Sequence, residues 1–299
     1  MELLQGLNNE QQQAVLSTEG YVRVIAGAGT GKTKTLVNRF AYIVDELGVN
    51  ASSILCVTFT NKAASEMRSR IKNLIGEEND VGFVSTYHGF CAKVLRRDIT
   101  YLSWPKGFII LDEEDRKSIV QEIHRELNIT TEKKRVVDSL KMIDHRKKSL
   151  SYVQDLISDT EKIEIDKESV LDNLVFKKYL IKQKKNYGLD FNDLINFVFH
   201  LFKVNEEVLS KWQGKLNYVL VDEFQDSSSK QVALVEMLTI KHKNLFIVGD
   251  PDQSIYGWRG GDPGFLVNFD KLHEDCQTII LTKNYRSTQK ILNVSNDLI

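Results

Sequence analysis

The stretch that decides the fold is Tyr21-Val22-Arg23-Val24-Ile25-Ala26-Gly27-Ala28-Gly29-Thr30-Gly31-Lys32-Thr33. It begins as an apolar, β-branched strand, and helical periodicity follows Thr33. The glycines between them let the backbone curl so that N–H groups point at phosphate oxygens. Lys32 would reach the β and γ phosphates of a nucleoside triphosphate, and the Thr33 hydroxyl would bind Mg²⁺. The stretch predicts a strand, a phosphate-binding loop and a helix, with Ala26 in place of the usual first glycine. A glycine-rich turn without a ligand is the alternative.

Length and composition indicate a globular protein. The chain has 299 residues and is 42% hydrophobic, which suffices for one large domain or two ordinary ones. No apolar run approaches the roughly 20 residues that span a bilayer, and the first residues do not resemble a signal peptide. We therefore expect no membrane partner and a cytoplasmic location. Cys56, Cys91 and Cys276 lack metal-ligand spacing and are predicted to be reduced core thiols.

The charge distribution leaves two interpretations open. Net charge is −1, which by itself does not indicate nucleic acid binding. Between Arg116 and Lys148, however, the sequence contains ten Lys or Arg residues and only five Asp or Glu residues. A second basic cluster comprises Lys177, Lys178, Lys182, Lys184 and Lys185. Each cluster is either a solvated helix face or a surface that contacts phosphates.

The order of apolar segments predicts an α/β fold, with a parallel sheet that has helices on both faces. Six segments read as strands: Tyr21–Ile25, Ile54–Phe59, Phe83–Thr86, Tyr218–Asp222, Leu245–Gly249 and Thr278–Leu281. Polar or glycine-containing motifs follow nearly all of them, and ligands bind at the carboxyl ends of such strands. The stretch from Asp112 to Tyr187 contains neither Gly nor Pro and has helical periodicity. It is predicted to be a helical insertion between the third and fourth strands.

An acidic pair, Asp222 and Glu223, ends the fourth predicted strand. In phosphoryl transfer one such carboxylate holds Mg²⁺ and the other orients or deprotonates the attacking water. We assign Asp222 to the metal and Glu223 to the water. After the fifth strand, the Gln253 amide could sense the γ-phosphate. Together with the phosphate loop, this pair favours hydrolysis over phosphoryl transfer to a small molecule.

A glycine-rich loop then carries Tyr256, Trp258 and Arg259. Spacing alone favours burial of Trp258 in the core. An aromatic pair with an arginine on a flexible loop is also what single-stranded bases need for stacking, at roughly 1–3 kcal/mol per base. Both interpretations remain open at the level of spacing.

Eight motifs occur in order along nearly the whole chain. They are Leu7 to Gln11, Ala26 to Thr33, Thr58 to Met67, Ser85 to His88, Leu189 to Leu194, Val221 to Asp226, Gly249 to Gly260 and Asn284 to Ser287. This series resembles the N-terminal part of superfamily 1 DNA helicases of the UvrD/Rep/PcrA group, and the match includes the alanine at position 26. The resemblance implies a RecA-like P-loop NTPase fold.

For nucleotide binding, the resemblance implies a site for ATP and Mg²⁺. Gln11 would read the adenine, Tyr285 would stack on it, and Lys34 stands where many relatives have an arginine beside it. Arg286 would be an arginine finger, a group worth about 10³ to 10⁵ in rate. The implied catalytic residues are Lys32, Asp222, Glu223, Gln253 and Arg286. The implied nucleotide contacts are Gln11, Ala26, Gly27, Ala28, Gly29, Thr30, Gly31, Lys32, Thr33, Lys34 and Tyr285, with Thr33 and Asp222 as metal ligands.

For DNA binding, the resemblance implies a base-stacking platform and contacts along the backbone of a single strand. The residues are Phe59, Asn61, Thr86, His88, Tyr256, Trp258 and Arg259. From residue type alone, His88 could equally be a satisfied core histidine and Thr86 a simple strand end.

The resemblance also implies a domain plan and a function. Residues 1–110 and 188–277 would form the ATP-binding domain (1A), residues 111–187 the helical insertion (1B), and residues 278–299 the start of a truncated second RecA-like domain. We expect a 3′-to-5′ ATP-dependent DNA helicase acting on single-stranded DNA and duplex junctions. This chain would be its N-terminal half, hydrolysing ATP poorly without the second domain, which would be its partner.

Two other functions fit the same motifs. One is a stand-alone, ATP-dependent DNA-binding switch without unwinding activity, and the other is the motor part of a recombination helicase–nuclease. A small-molecule kinase is disfavoured, because the stacking loop and Gln253 would have no purpose in it.

Overall fold

The computed structural model describes residues 2–158 and 170–297. The chain divides into two compact units, one formed by residues 1–90 and 209–299 and the other by residues 91–208. Within the described residues, no helix is both long and apolar enough to cross a membrane.

The described residues form helices and strands in the following order. They are α1 (Asn9–Leu16), β1 (Tyr21–Ala26), α2 (Lys32–Asp45), β2 (Ile54–Thr58), α3 (Asn61–Ile75), β3 (Phe83–Thr86), α4 (Tyr87–Asp98), β4 (Ile109–Ile110), α5 (Glu113–Glu126), α6 (Lys133–Arg146), α7 (Ser151–Ile157), α8 (Val170–Asn186), β5 (Gly188–Leu189), α9 (Phe191–Val204), α10 (Glu206–Lys215), β6 (Tyr218–Val221), α11 (Ser229–Thr239), β7 (Leu245–Gly249), α12 (Gly264–Val267), α13 (Phe269–Leu272), β8 (Gln277–Leu281) and α14 (Gln289–Asn296).

The first unit contains a six-stranded sheet in the order β3-β2-β6-β7-β1-β8. Every neighbouring pair is parallel. The six strands coincide with the six predicted segments to within one residue at each end. Parallel strands buried on both faces need continuous apolar runs, and these six segments supply them. The predicted parallel α/β fold is confirmed.

Helices cover both faces of this sheet. On one face, Val24 of β1 and Phe246 of β7 share a core with Phe40 of α2 and Ile71 of α3. Alternate residues of a strand point to opposite faces. Arg23 accordingly points to the other face, where its guanidinium donates to the carbonyl oxygens of α12.

The strand order places three carboxyl ends side by side. β6 pairs with β7, and β7 pairs with β1, so that Ile25 is in register with Gly249, and Val221 with Ile247. Each strand is followed at once by a predicted site motif. Pairing of strands that are far apart in the sequence therefore assembles the site at one edge of the sheet.

β8 extends the same sheet at its end. Its residues pair with β1, from Val22 opposite Gln277 to Ala26 opposite Leu281. The resemblance assigns residues 278–299 to the beginning of a second domain, whereas β8 lies in the sheet of the first unit. The position of a second RecA-like domain stays a prediction.

The second unit is mainly helical. It contains α5 to α9 and a two-stranded parallel sheet formed by β4 and β5. The unit runs from residue 91 to residue 208, whereas the predicted insertion runs from 111 to 187. Its assignment as subdomain 1B stays a prediction.

The basic residues of the second unit are partly paired within it. Lys178 and Lys182 form ion pairs with Glu126 at 2.7 Å. Lys147 is fully buried, with its ammonium 2.7 Å from Asp190 and 2.8 Å from Asp193. Counting charges along the sequence therefore overstated the basic surface of this unit.

Candidate nucleotide and nucleic-acid site

The phosphate-binding loop connects β1 to α2. Gly29 and Gly31 have φ angles of +75° and +89°, which L side chains rarely adopt. A Cβ atom on Gly31 would also lie 2.5 Å from Nε2 of Gln11. The loop places the N terminus of α2, without a side-chain cap, at the edge of the sheet. The unpaired N–H groups of that first turn and the helix dipole favour an anion there.

Lys32 and Thr33 are the first residues of α2. The Lys32 ammonium donates to the Ala26 carbonyl oxygen at 3.1 Å, which folds the side chain back along the loop. Thr33, Asp222 and Glu223 line the same cavity. The volume of this cavity is about 320 Å³. The predicted phosphate and metal ligands thus meet at one place.

The acidic pair occupies the end of β6. Asp222 is buried, and desolvation followed by the charge of Glu223 raises the pKa of Asp222 to about 7, while Lys32 acts in the opposite direction. The Glu223 backbone has a φ angle of +49°, a strained conformation that is typical of functional sites. A cation beside these carboxylates would offset the desolvation that raises the pKa.

These residues fit Mg²⁺. Among the described residues, no group of three or more His, Cys, Asp or Glu side chains could hold a metal by itself. Mg²⁺ keeps several waters and uses one or two protein ligands together with substrate phosphates. Asp222 and Thr33 are such a pair, and the loop supplies the position for the phosphates.

Gln11 and the 284–286 segment contact the phosphate loop from outside. The Gln11 amide donates to the Thr30 carbonyl oxygen at 2.9 Å, and the Tyr285 N–H donates to the Gly29 carbonyl oxygen at 2.8 Å. The side-chain amide of Asn284, for which the motifs predict no site role, donates to the Ala28 carbonyl oxygen. Tyr285 is 54% exposed, and the Lys283 ammonium lies over its ring, 5.3 Å from the centroid.

Arg286 and Lys34 lie at the rim of this region. A Cβ atom on Gly29 would lie 2.6 Å from the Cβ atom of Arg286, which shows how closely that residue approaches the loop. Lys34 is exposed, and its ammonium donates to the Gly6 carbonyl oxygen at 2.7 Å. That bond holds the segment before α1 close to α2.

Three aromatic residues form a group, and two of them, Phe59 and Tyr256, line the same cavity as the carboxylates. The rings of Phe59 and Tyr256 stack with centroids 4.2 Å apart, and Trp258 lies 6.3 Å from Tyr256 at a tilt of 48°. Trp258 is 76% exposed, so the burial favoured by spacing alone is wrong. Arg259 ends the short 3₁₀ helix that carries Trp258, and its side chain lies outside the described part of the structure.

Thr86, Asn61 and His88 form a second group at the carboxyl end of β3. The Thr86 hydroxyl lies 3.5 Å from Oδ1 of Asn61 and accepts a hydrogen bond from the Gly89 N–H. His88 is half-buried in the first turn of α4. Thr86 therefore has a local role at the strand end, and a DNA contact for these three residues stays a prediction.

Gln225 is a site residue for which the sequence motifs predict no role. Its side chain is only 1% exposed, and it joins Glu223 to the backbone of Asp250 through two hydrogen bonds. Its position inside the Asp-Glu-Phe-Gln-Asp stretch was the available signal. Its partner at Asp250 is invisible in the sequence, because the contact depends on the pairing of β6 with β7.

The parallel sheet, the phosphate loop and the acidic strand end together define a RecA-like P-loop domain, a nucleotide-binding class. Residues 7–274 match the family model described as the UvrD/REP helicase N-terminal domain. The chain belongs to this family.

Two curated relatives are similar in sequence to nearly the whole chain. The ATP-dependent DNA helicases PcrA of Staphylococcus epidermidis (strain RP62A) and Staphylococcus aureus (strain Mu50) are each 40% identical to it over 297 residues. The alignment covers 99% of this chain and 40% of each relative. The chain thus spans about 40% of the length of these relatives.

Proposed function

We propose that this chain binds ATP with Mg²⁺ and single-stranded DNA, and that it acts as the N-terminal, ATP-hydrolysing part of a 3′-to-5′ DNA helicase. One observation carries the proposal. A single cavity is lined both by Thr33, Asp222, Glu223 and Gln253 and by the stacked Phe59 and Tyr256. Phosphate chemistry and base stacking would therefore take place on adjoining surfaces.

The proposed hydrolysis uses charges that are already in position. Lys32 would neutralise the β and γ phosphates, and Asp222 and Thr33 would hold Mg²⁺, which supplies further positive charge to the phosphates. Glu223 would orient the attacking water and accept its proton. Gln253 would contact the γ-phosphate, and Arg286 would stabilise charge that develops in the transition state.

The adenine and the DNA would bind by stacking. Tyr285, on the segment that bonds the phosphate loop, would stack on the adenine, and Gln11 would read its edge. Exposed Trp258, with Tyr256 and Phe59 behind it, would stack on single-stranded bases. Each stacked base contributes roughly 1–3 kcal/mol.

The motor cycle would use a second RecA-like domain as partner. ATP does mechanical work only if it binds differently to open and closed states of the protein. We propose that such a domain closes on this site and that the pair advances along single-stranded DNA toward duplex junctions. The 3′-to-5′ polarity follows from the resemblance to the UvrD/Rep/PcrA group, and we propose a cytoplasmic location on the same basis.

Hydrolysis of ATP with and without single-stranded DNA tests the proposal. We expect slow, DNA-stimulated hydrolysis by this chain without the second domain, and Lys32→Ala should lower it by about 10² to 10³, because a pre-positioned charge on the phosphates is lost. Lys72→Ala is the matched control, since Lys72 is a partly exposed residue that pairs with Glu77 after α3. Unchanged turnover in Lys32→Ala would contradict the proposed phosphate site. Nucleotide binding without any hydrolysis would contradict the proposed reaction for this chain.

A further inference from the structure

Gln225 is a buried amide directly beside the proposed catalytic carboxylate. It lies in the 3₁₀ helix Phe224–Asp226 after β6. Its Nε2 donates to Oε2 of Glu223 at 2.9 Å, and its Oε1 accepts the Asp250 N–H at 3.1 Å. The amide nitrogen thus donates a hydrogen bond and the amide oxygen accepts one. This difference fixes which end of the amide faces the carboxylate.

Gly249 provides the space for this amide. A Cβ atom at position 249 would lie 2.3 Å from Oε1 of Gln225 and 3.3 Å from its backbone nitrogen. The last residue of β7 therefore has to lack a side chain for the amide to reach the Asp250 N–H.

The Gln225 amide connects Glu223 to the turn that carries the proposed γ-phosphate sensor. Asp250 accepts a hydrogen bond from the Gln253 amide and another from the Asp252 N–H. The backbone carbonyl oxygen of Gln225 accepts the Ser254 hydroxyl at 3.4 Å. The end of β6 and the turn after β7 are therefore held together at the site.

We propose that Gln225 is a positioning residue that holds the Glu223 carboxylate in line for the attacking water and in register with Gln253. The inference rests on the proposed function, because it takes Glu223 as the group that activates water. A glutamate side chain has three rotatable bonds, and the strained Glu223 backbone does not orient the carboxylate. Both side-chain bonds of Gln225 go to Glu223 and Asp250, and neither residue belongs to the phosphate loop. Its loss should slow the chemical step and leave nucleotide affinity nearly unchanged.

Two substitutions and a matched control test this role. Gln225→Met keeps the length of the side chain and removes both hydrogen bonds. Gln225→Glu keeps an acceptor for the Asp250 N–H but places a carboxylate opposite Glu223. Gln213→Met is the control, because Gln213 is also buried and its amide donates one bond, to the Met237 carbonyl oxygen at 2.7 Å.

The measurement is the rate of a single turnover of ATP, with protein in excess and single-stranded DNA present. A fluorescent-nucleotide dissociation constant and a thermal unfolding curve accompany it. We expect both Gln225 variants to hydrolyse ATP about ten- to a hundredfold more slowly, since a bond to a charged group and the alignment it provides are lost. Their nucleotide affinity should stay within about twofold of that of the unmodified chain, because the phosphate loop is untouched. Gln213→Met should hydrolyse ATP at the unmodified rate.

The other results would each contradict the inference. An unmodified rate in a folded Gln225 variant, or a loss of nucleotide affinity equal to the loss of rate, would overturn the inference while leaving the proposed function standing. Unfolding of both variants would assign Gln225 a structural role and would also overturn it. Absence of any turnover by the unmodified chain would contradict the proposed function itself, and the inference with it.

Discussion

Gly29 illustrates how a single residue sets the geometry of the phosphate loop. Its φ angle is +75°, and a Cβ atom there would lie 2.6 Å from the Cβ atom of Arg286 and 2.9 Å from Oδ1 of Asn284. Left-handed backbone costs an L residue about 1–2 kcal/mol. The methyl group of an alanine would add a clash with the 284–286 segment.

Replacing Gly29 by Ala should therefore weaken nucleotide binding. Gly20→Ala is the matched control, because Gly20 has a similar φ angle of +79° but open space, with no atom beyond its chain neighbours within 4 Å of an added Cβ. Both variants should lose about 1–2 kcal/mol of stability from backbone strain. Only Gly29→Ala should also displace Arg286 and Tyr285 from the loop and raise the dissociation constant of a fluorescent ATP analogue. Equal affinities in the two variants would contradict this packing.

At the level of elements, the loop between β7 and α12 exposes the Trp258 side chain, while the start of the loop is hydrogen-bonded to the 3₁₀ helix that follows β6. The Ile255 N–H donates to Asp226 at 3.3 Å, directly before Tyr256. The aromatic group thus has a fixed base and an exposed tip. Such a surface suits stacking on bases without sequence preference.

Trp258→Ala should weaken binding of single-stranded DNA by about 1–3 kcal/mol, because a stacked base is lost. ATP affinity and stability should change little, because the side chain is mostly exposed. Tyr101→Ala is the control, since Tyr101 is an exposed aromatic residue of the second unit. Fluorescence anisotropy of a labelled oligonucleotide measures the effect. A larger loss of ATP affinity than of DNA affinity would contradict the stacking role.

In the second unit, Lys147 joins helix ends through buried charge. It follows the last residue of α6, and its ammonium bonds Asp190 and Asp193, which form the N-terminal capping box of α9. The Lys147 ammonium holds the pKa of Asp190 below its usual range against the effect of desolvation. Removing one partner of such a group leaves uncompensated buried charge.

Lys147→Met should accordingly destabilise the protein by about 3–5 kcal/mol. The neighbouring Lys148 is exposed, and Lys148→Met should change stability by less than about 0.5 kcal/mol. Chemical denaturation followed by circular dichroism measures both. A loss of similar size in the two variants would show that the buried network contributes little.

At the level of the whole molecule, every predicted site residue belongs to the unit formed by residues 1–90 and 209–299. The net charge of −1 gives this chain no overall attraction to DNA. Binding must therefore depend on local surfaces. The nucleotide should stabilise the unit that contains its site.

Hydrogen exchange with a slowly hydrolysed ATP analogue and Mg²⁺ tests that distribution. At a hundred times the dissociation constant, binding stabilises the liganded state by about 2.7 kcal/mol. Exchange should slow most in residues 26–33, 222–226 and 284–287. The Lys32→Ala variant should lose this protection. Protection confined to residues 91–208 would place the nucleotide in the other unit.

Much of the fold and half of the site follow from local patterns. The six strands can be predicted from the sequence because both faces of each strand are buried. Such burial requires continuous apolar runs such as Leu245–Gly249. The sequence also predicts the loop from Ala26 to Thr33 and the pair Asp222 and Glu223, because binding of phosphate and metal needs those residue types in consecutive positions. These features depend on neighbours in the chain.

Contacts between distant segments were settled by the tertiary structure. The order β3-β2-β6-β7-β1-β8 places β6 and β7 beside β1, and that pairing brings Gln225 to Asp250 and the Asn284 side chain to the loop. Exposure of Trp258 and burial of Lys147 contradict what residue type and charge counts favour. The physical reason is the same in each case: packing and desolvation depend on what folds against a side chain, and a one-dimensional pattern records only what precedes and follows it.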